Sequence, residues 1–146
     1  MSQLPDVETG RGYSIRWGWL KAMYIYTLVG AGGFGVITLF LPELARTLFR
    51  IPEGDPAVLG LYGSFSLAAA LLSILALRSP LKFVPLLLIQ LVYKPIWLIV
   101  FALPIFLKGR FPMHVVIISA VYATFIIGNL IAIPFPYLFS RKQTNQ

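Results

Sequence analysis

The chain has 146 residues, of which 58% are hydrophobic and only 12% charged, against about 25% charge in soluble domains, so it has too few charges to coat a globule in water. Its net charge of +7 does not signal nucleic acid, because the bases stand singly at the ends of apolar segments instead of clustering on one face. With no cysteine and a single histidine, His114, disulfides, thiol chemistry and a histidine-built metal site are excluded, and no cofactor is expected.

The length allows one domain, 1–146. Residues 1–12 are polar. Span one is predicted over about 22–41, entered through Trp17, Trp19 and Lys21, the interfacial pattern of aromatic belt and snorkelling base. It is too long for a signal-peptide core and no small-residue cleavage site follows, so it reads as a retained span. Pro42 ends it. In the link 42–56, Leu44, Leu48, Phe49 and Ile51 alternate with Glu43, Arg46 and Arg50, which fits a short amphipathic helix on the membrane surface. Glu53-Gly54-Asp55-Pro56 is a turn. Span two covers about 57–77. Arg78-Ser79-Pro80 is a tight connection that favours antiparallel packing with span three, about 82–107. Lys108-Gly109-Arg110 turns the chain into span four, about 112–133, stopped by Pro134 and Pro136. Residues 141–146 form a polar tail. The apolar runs lack the period-2 alternation of a membrane barrel. The expected fold is all-α, an integral membrane antiparallel four-helix bundle.

Seven bases, Arg11, Arg16, Lys21, Arg78, Lys82, Arg141 and Lys142, fall on one side, and four, Arg46, Arg50, Lys108 and Arg110, on the other. The positive-inside rule then puts both termini in the cytoplasm. Small residues recur at intervals of four: Thr27, Ala31 and Gly35 in span one, Gly60, Ser64 and Ala68 in span two, and Ala120, Thr124, Gly128 and Ala132 in span four. Such stripes let helix backbones approach closely, within the bundle or against a second copy. The run Gly30 to Gly35 reads as a packing seam, since no strand precedes it to make a phosphate loop.

Lys94 stands apart. It is the one charge within residues 83–107. It lies about 16 Å from Phe83, near the middle of a ~30 Å hydrocarbon core, where inserting an ammonium costs about 2.5–3.5 kcal/mol. Gln90, Lys94 and Trp97 share a helical face at i, i+4 and i+7, with Tyr93 adjacent. Pro95 removes a backbone donor, so the carbonyl of Leu91 loses its usual partner, and it strains Lys94 before it. A kink is expected, with freed carbonyls open to the ammonium. Lys94 is 14 residues before Lys108 and Asn129 is 15 after His114, which places the two at similar depth. Thr27 and Ser73 reach that depth by the same count. The candidate ligand-binding layer is therefore Lys94, Gln90, Asn129, Tyr93, Trp97, Thr27 and Ser73.

All five acids, Asp6, Glu8, Glu43, Glu53 and Asp55, lie outside the spans. The buried amine is then neutral, or held by carbonyls, Gln90, Asn129 and water, or paired with an anion from outside the chain. Plainer readings stand beside these. Lys94 snorkels through the kink, Asn129 is interhelical glue, Tyr93 and Trp97 are packing, and His114 is an interface residue.

The stretch TLFLPELARTLFRIPEGDPAVLGLYGSFSLAAALLSILALRSP resembles small bacterial four-span proteins of the DoxX-like kind. The shared order is a glycine-bearing first helix, a proline-bounded amphipathic link and a small-residue second helix. The resemblance covers about half the chain and bears on architecture; it implies the bacterial cytoplasmic (inner) membrane. No acid pair, Ser-His-Asp set, HExxH or GxSxG occurs. The expected function is therefore non-enzymatic: binding or transport of an amphipathic or anionic ligand at a mid-membrane polar site. The alternative is an accessory or assembly subunit of a larger membrane complex, with Lys94 paired to its acid. The expected partners are membrane lipids, an anionic small molecule or lipid, and a partner membrane subunit or second copy.

Overall fold

A computed structural model of the chain describes residues 14–139. The polar ends, with Asp6, Glu8, Arg11, Arg141 and Lys142, lie outside the described residues. Every regular element among the described residues is helical. In hydrocarbon an unpaired backbone group costs several kcal/mol, and a helix satisfies its own N–H and C=O groups within one segment.

Four stretches are long and apolar enough to cross a membrane: α1 (Trp17–Phe40), α3 (Pro56–Arg78), the third span (Pro80–Leu107) and α6 (Met113–Ala132). The first begins five residues before the expected start, running through Trp17, Trp19 and Lys21. These amphipathic side chains suit a helical backbone as well as an interface. Between α1 and α3 lies α2 (Pro42–Phe49), with Pro42 in its first turn, where a missing N–H does no harm. Arg50 closes α2 in the left-handed conformation, φ 54°. Asp55 then caps α3, its Oδ1 accepting the Ala57 N–H at 2.8 Å. A short helix past the expected stop, α7 (Phe135–Phe139), forms because Pro134 contributes only a carbonyl, which accepts from Tyr137 and Leu138.

The third span is not uniform. It opens with a 3-10 turn (Pro80–Phe83), continues as α4 (Val84–Trp97), widens into a π turn (Leu98–Ala102) and ends as α5 (Leu103–Leu107). The helix passes through Pro95, with Lys94 still helical. The irregularity comes later, where the Leu103 N–H reaches back five residues to the Leu98 carbonyl. Pro104 follows directly, and its ring would press on the Val100 carbonyl in a regular helix; the extra residue in the turn relieves that crowding.

The tightest seam joins α1 to α3. A Cβ on Gly35 would stand 2.7 Å from the Leu67 backbone nitrogen and 2.9 Å from the Gly63 carbonyl oxygen, and one on Gly63 would meet Leu39 and Thr38. The span-one stripe of Thr27, Ala31 and Gly35 does face the interior, with Thr27 and Gly35 fully buried. The stripe in span two is corrected: Ser64 and Ala68 are exposed and a Cβ on Gly60 would meet nothing. The buried face of α3 is Gly63, Ala69, Ala70, Ser73 and Ala76. On a span that is apolar all round, several small-residue registers coexist, and the sequence pattern cannot say which one turns inward. In α6, Gly128 and Ala132 turn inward while Ala120 and Thr124 are exposed; Met23 fills the notch at Gly128.

α6 packs on both α1 and α4. The start of α1, the end of α3, the start of the third span and the end of α6 meet in one apolar core that includes Leu20, Met23, Tyr24, Leu87, Phe125 and Ile133. Tyr24 donates to the Pro80 carbonyl at 2.7 Å, tying α1 to the 3-10 turn. We call this the closed end. Past that turn α3 and α4 barely approach one another, despite their short connection. The space left between them is the site described next.

Candidate functional site

A cavity of about 580 Å³ occupies the half of the molecule nearer α2. Its walls come from α1, α3, the third span and α6, and its mouth from the segment after α2. The lining is dominated by rings. Phe65 of α3 meets Tyr93 of α4 edge-on at 5.5 Å, Tyr93 meets Tyr122 of α6 at 5.9 Å, and Trp97 meets Tyr122 at 5.2 Å. Trp97 also packs on Phe101 of the π turn at 5.2 Å. Edge-to-face rings hold helices apart at a fixed spacing while still gaining contact. Bulky aromatics on all sides thus explain why α3 and α4 do not close on each other.

Lys94 lines this cavity and is only 3% exposed. Its ammonium donates to Gln90 Oε1 at 2.9 Å and to Tyr93 Oη at 3.1 Å. It stands 4.1 Å from the centre of the Phe125 ring, 4.7 Å from that of Tyr93 and 5.3 Å from that of Tyr122. Ring faces attract a cation without neutralising it, by about 2 kcal/mol or more when desolvated. Gln90 in turn donates from Nε2 to Thr27 Oγ1 at 3.3 Å. Among the described residues Lys94 has no carboxylate partner. Its donors go to Gln90 and Tyr93 and not to the Leu91 carbonyl that Pro95 leaves short.

Of the candidate residues, Thr27, Gln90, Lys94 and Tyr93 thus form one hydrogen-bonded line, with Trp97 beside it on the cavity wall. Asn129 and Ser73 stand outside that line. The Ser73 hydroxyl donates to the Ala69 carbonyl one turn back at 2.8 Å. Asn129 is fully buried and neither its Nδ2 nor its Oδ1 has a hydrogen-bond partner. The polar layer does not draw on all four spans, and the physical reason is visible in α6. Residue counting fixes depth along the membrane normal but not rotation about the helix. The side chains of α6 that face Lys94 are Tyr122 and Phe125, the latter one turn before Asn129.

Several wall residues carry no signal as single positions: Tyr62, Tyr122, Phe125 and Arg46. A pairwise signal does exist. Tyr62 and Phe65, Tyr93 and Trp97, and Tyr122 and Phe125 place two aromatics one turn apart on three different spans. At the mouth, Arg46 donates from Nη2 to the Gly54 carbonyl at 3.4 Å, while its Nε is buried with no partner. His114 also lines the cavity. Tyr26 and Thr124 bond at 2.6 Å, and since Thr124 donates to the Val121 carbonyl, Tyr26 is the donor of that pair. No group of three or more metal-ligating side chains occurs among the described residues.

Comparison with family models, with curated proteins and with solved structures found no match to this chain. The functional reading therefore rests on the chain's own geometry.

Proposed function

We propose that the protein is a non-enzymatic membrane protein that binds or transports an amphipathic or anionic ligand in the cavity in front of Lys94. One observation carries this reading: a buried ammonium, unpaired by any acid among the described residues, faces a roomy aromatic cavity. Charges held inside membrane proteins usually face a cavity or a partner, and pockets of about 300–1,000 Å³ accept drug-sized ligands. A bound anion would supply the counter-charge that the ring faces do not. In this reading the spans form an antiparallel four-helix bundle of the DoxX-like kind in a bacterial inner membrane, with both termini cytoplasmic. The cavity mouth at Arg46 and His114 then lies on the outer side.

The accessory-subunit reading is weakened by where Lys94 points. Its ammonium is turned inward among Gln90, Tyr93 and Phe125, so an acidic helix of a partner would have to enter the cavity to reach it.

Native mass spectrometry of the protein extracted gently from its own membrane tests the proposal. A retained small-molecule or lipid mass that disappears in Lys94→Leu, with the variant still folded, is the expected result. A co-purifying protein at fixed stoichiometry, lost in the same variant, would replace it with the subunit reading.

A further inference from the structure

Building on the reading of Lys94 as an anion centre, we propose that the ligand is a lipophilic carboxylic acid with a single hydrocarbon chain, its carboxylate seated by the hydroxyls of Tyr62 and Tyr122 in front of the Lys94–Tyr93 pair. The direction of the hydrogen bonds leads there. Thr27 accepts from Gln90, and Gln90 and Tyr93 both accept from Lys94. Because Tyr93 accepts from the ammonium, its own proton points onward. Tyr93 meets Tyr122 edge-on at 5.9 Å between ring centres, the Tyr122 ring stands 5.3 Å from the ammonium, and Tyr62 lies on the facing wall of α3. All three line the cavity. Each phenol carries one proton to give, and no carbonyl or carboxylate acceptor is recorded for the protons of Tyr62 and Tyr122 among the described residues. The one carboxylate on the wall, Asp55, is engaged in capping α3 at the mouth. The cluster is therefore rich in donors and poor in acceptors, and a cation stands behind it. The fitting guest is an anionic group with two or more acceptor oxygens, and charge-assisted hydrogen bonds of this kind are the strong ones.

Carboxylates and phosphates share that chemistry. Depth favours the carboxylate. Lys94 sits 14 residues from Lys108, about 20 Å along a helix. A carboxylic acid can travel to that depth as its neutral form, taking a proton from water at the membrane surface and giving it back to water in the open cavity as its oxygens meet the ammonium, and burying a neutral group is far cheaper than burying an isolated charge. A phosphate ester, monoester or diester, keeps at least one charge near neutral pH. In this proposal the chain leaves between α3 and the π turn, where Phe65 and Phe101 both line the cavity and are each 49% exposed. The ligand enters from the lipid, head first.

The test uses the full chain in nanodiscs of zwitterionic lipid, with carboxyl-labelled palmitate and the single-chain phosphate lysophosphatidate as probes. Binding is read by NMR and titration calorimetry in the native protein, Tyr62→Phe, Tyr122→Phe and Lys94→Met. The phenylalanine variants each remove one oxygen from the cavity wall, and unchanged thermal melting verifies their fold. We expect palmitate to bind, with affinity about tenfold weaker in either phenylalanine variant and lost in Lys94→Met. Palmitate binding equally well to both phenylalanine variants would overturn the tyrosine seat. Preference for lysophosphatidate, abolished in Lys94→Met, would overturn the carboxylate assignment and leave the Lys94 reading standing. Binding of neither probe, together with no native ligand lost in Lys94→Met, would overturn both.

Discussion

The two sides of α3 meet opposite surroundings. Toward α1 it presents Gly63, Ala69, Ala70, Ser73 and Ala76, and the backbones come close enough that a methyl group on Gly35 would collide with α3 itself. Toward the third span it presents Tyr62 and Phe65, and there the helices stand apart around a cavity. Lipid tails are as apolar as leucine, so hydrophobicity closes neither gap. Side-chain size decides: small residues let one seam shut by van der Waals contact, and rings keep the other open. Stability is then concentrated in the first seam and open volume in the second.

The largest expected effect comes from breaking that division at its tight side. Gly35→Leu forces backbone apart from backbone, with no flexible side chain to give way. Overpacking of this kind costs typically about 1–3 kcal/mol, and more where nothing can move. Reversible unfolding in detergent should show a loss of about 3 kcal/mol. Tyr62→Ala, on the same helix but on the cavity wall, should change the same measurement by well under half as much. Equal losses at the two sites would erase the distinction. Next in size is Tyr24→Phe at the closed end. It deletes the buried bond to the Pro80 carbonyl, worth about 1 kcal/mol, and should lower the unfolding midpoint without touching ligand binding.

Much of this layout could be read from the sequence. The four long helices lie within five residues of the limits expected for the spans, because an apolar run of about 20 residues is the length that hydrocarbon demands of a helix. Lys94 is conspicuous by charge alone, Gln90 and Trp97 follow from helical spacing, and Tyr93 from adjacency. Rotation about each axis was not legible. A span is apolar on every face, so periodicity does not separate Gly63 from the outward-facing Ser64, or Phe125 from Asn129. The gap between α3 and the third span was hidden for a related reason. The short connection at Ser79 joins the two helices at one end only, and what separates them further along is the bulk of rings on three different spans.

On the open side, a smaller effect of opposite sign is expected. Lys94→Leu removes an ammonium that no acid among the described residues neutralises. Replacing buried charges with apolar groups is often neutral or stabilising, so the ligand-free protein should gain about 1 kcal/mol while losing its ligand. A marked loss of stability in the empty protein would make Lys94 a structural tie between Gln90 and Tyr93 and move it to the other side of the comparison.

Asn129 gives the smallest and most discriminating change. It lies at the closed end, fully buried, with both polar atoms unpartnered, in a region otherwise packed with apolar side chains. The desolvation of this amide is uncompensated, so Asn129→Leu, close in volume, should stabilise the fold by about 0.5–1 kcal/mol, the penalty for a buried polar group being about 1–3 kcal/mol less whatever the larger side chain strains. A loss of 1 kcal/mol or more would mean that the amide holds an ordered water, which in a buried site makes about three hydrogen bonds. Hydrogen–deuterium exchange at the closed end separates the two cases. A dry, apolar closed end should exchange no faster in Asn129→Leu than in the native protein, whereas a hydrated one should change its exchange when the amide is removed. The dry result would confine water and polar chemistry to the cavity side of the molecule.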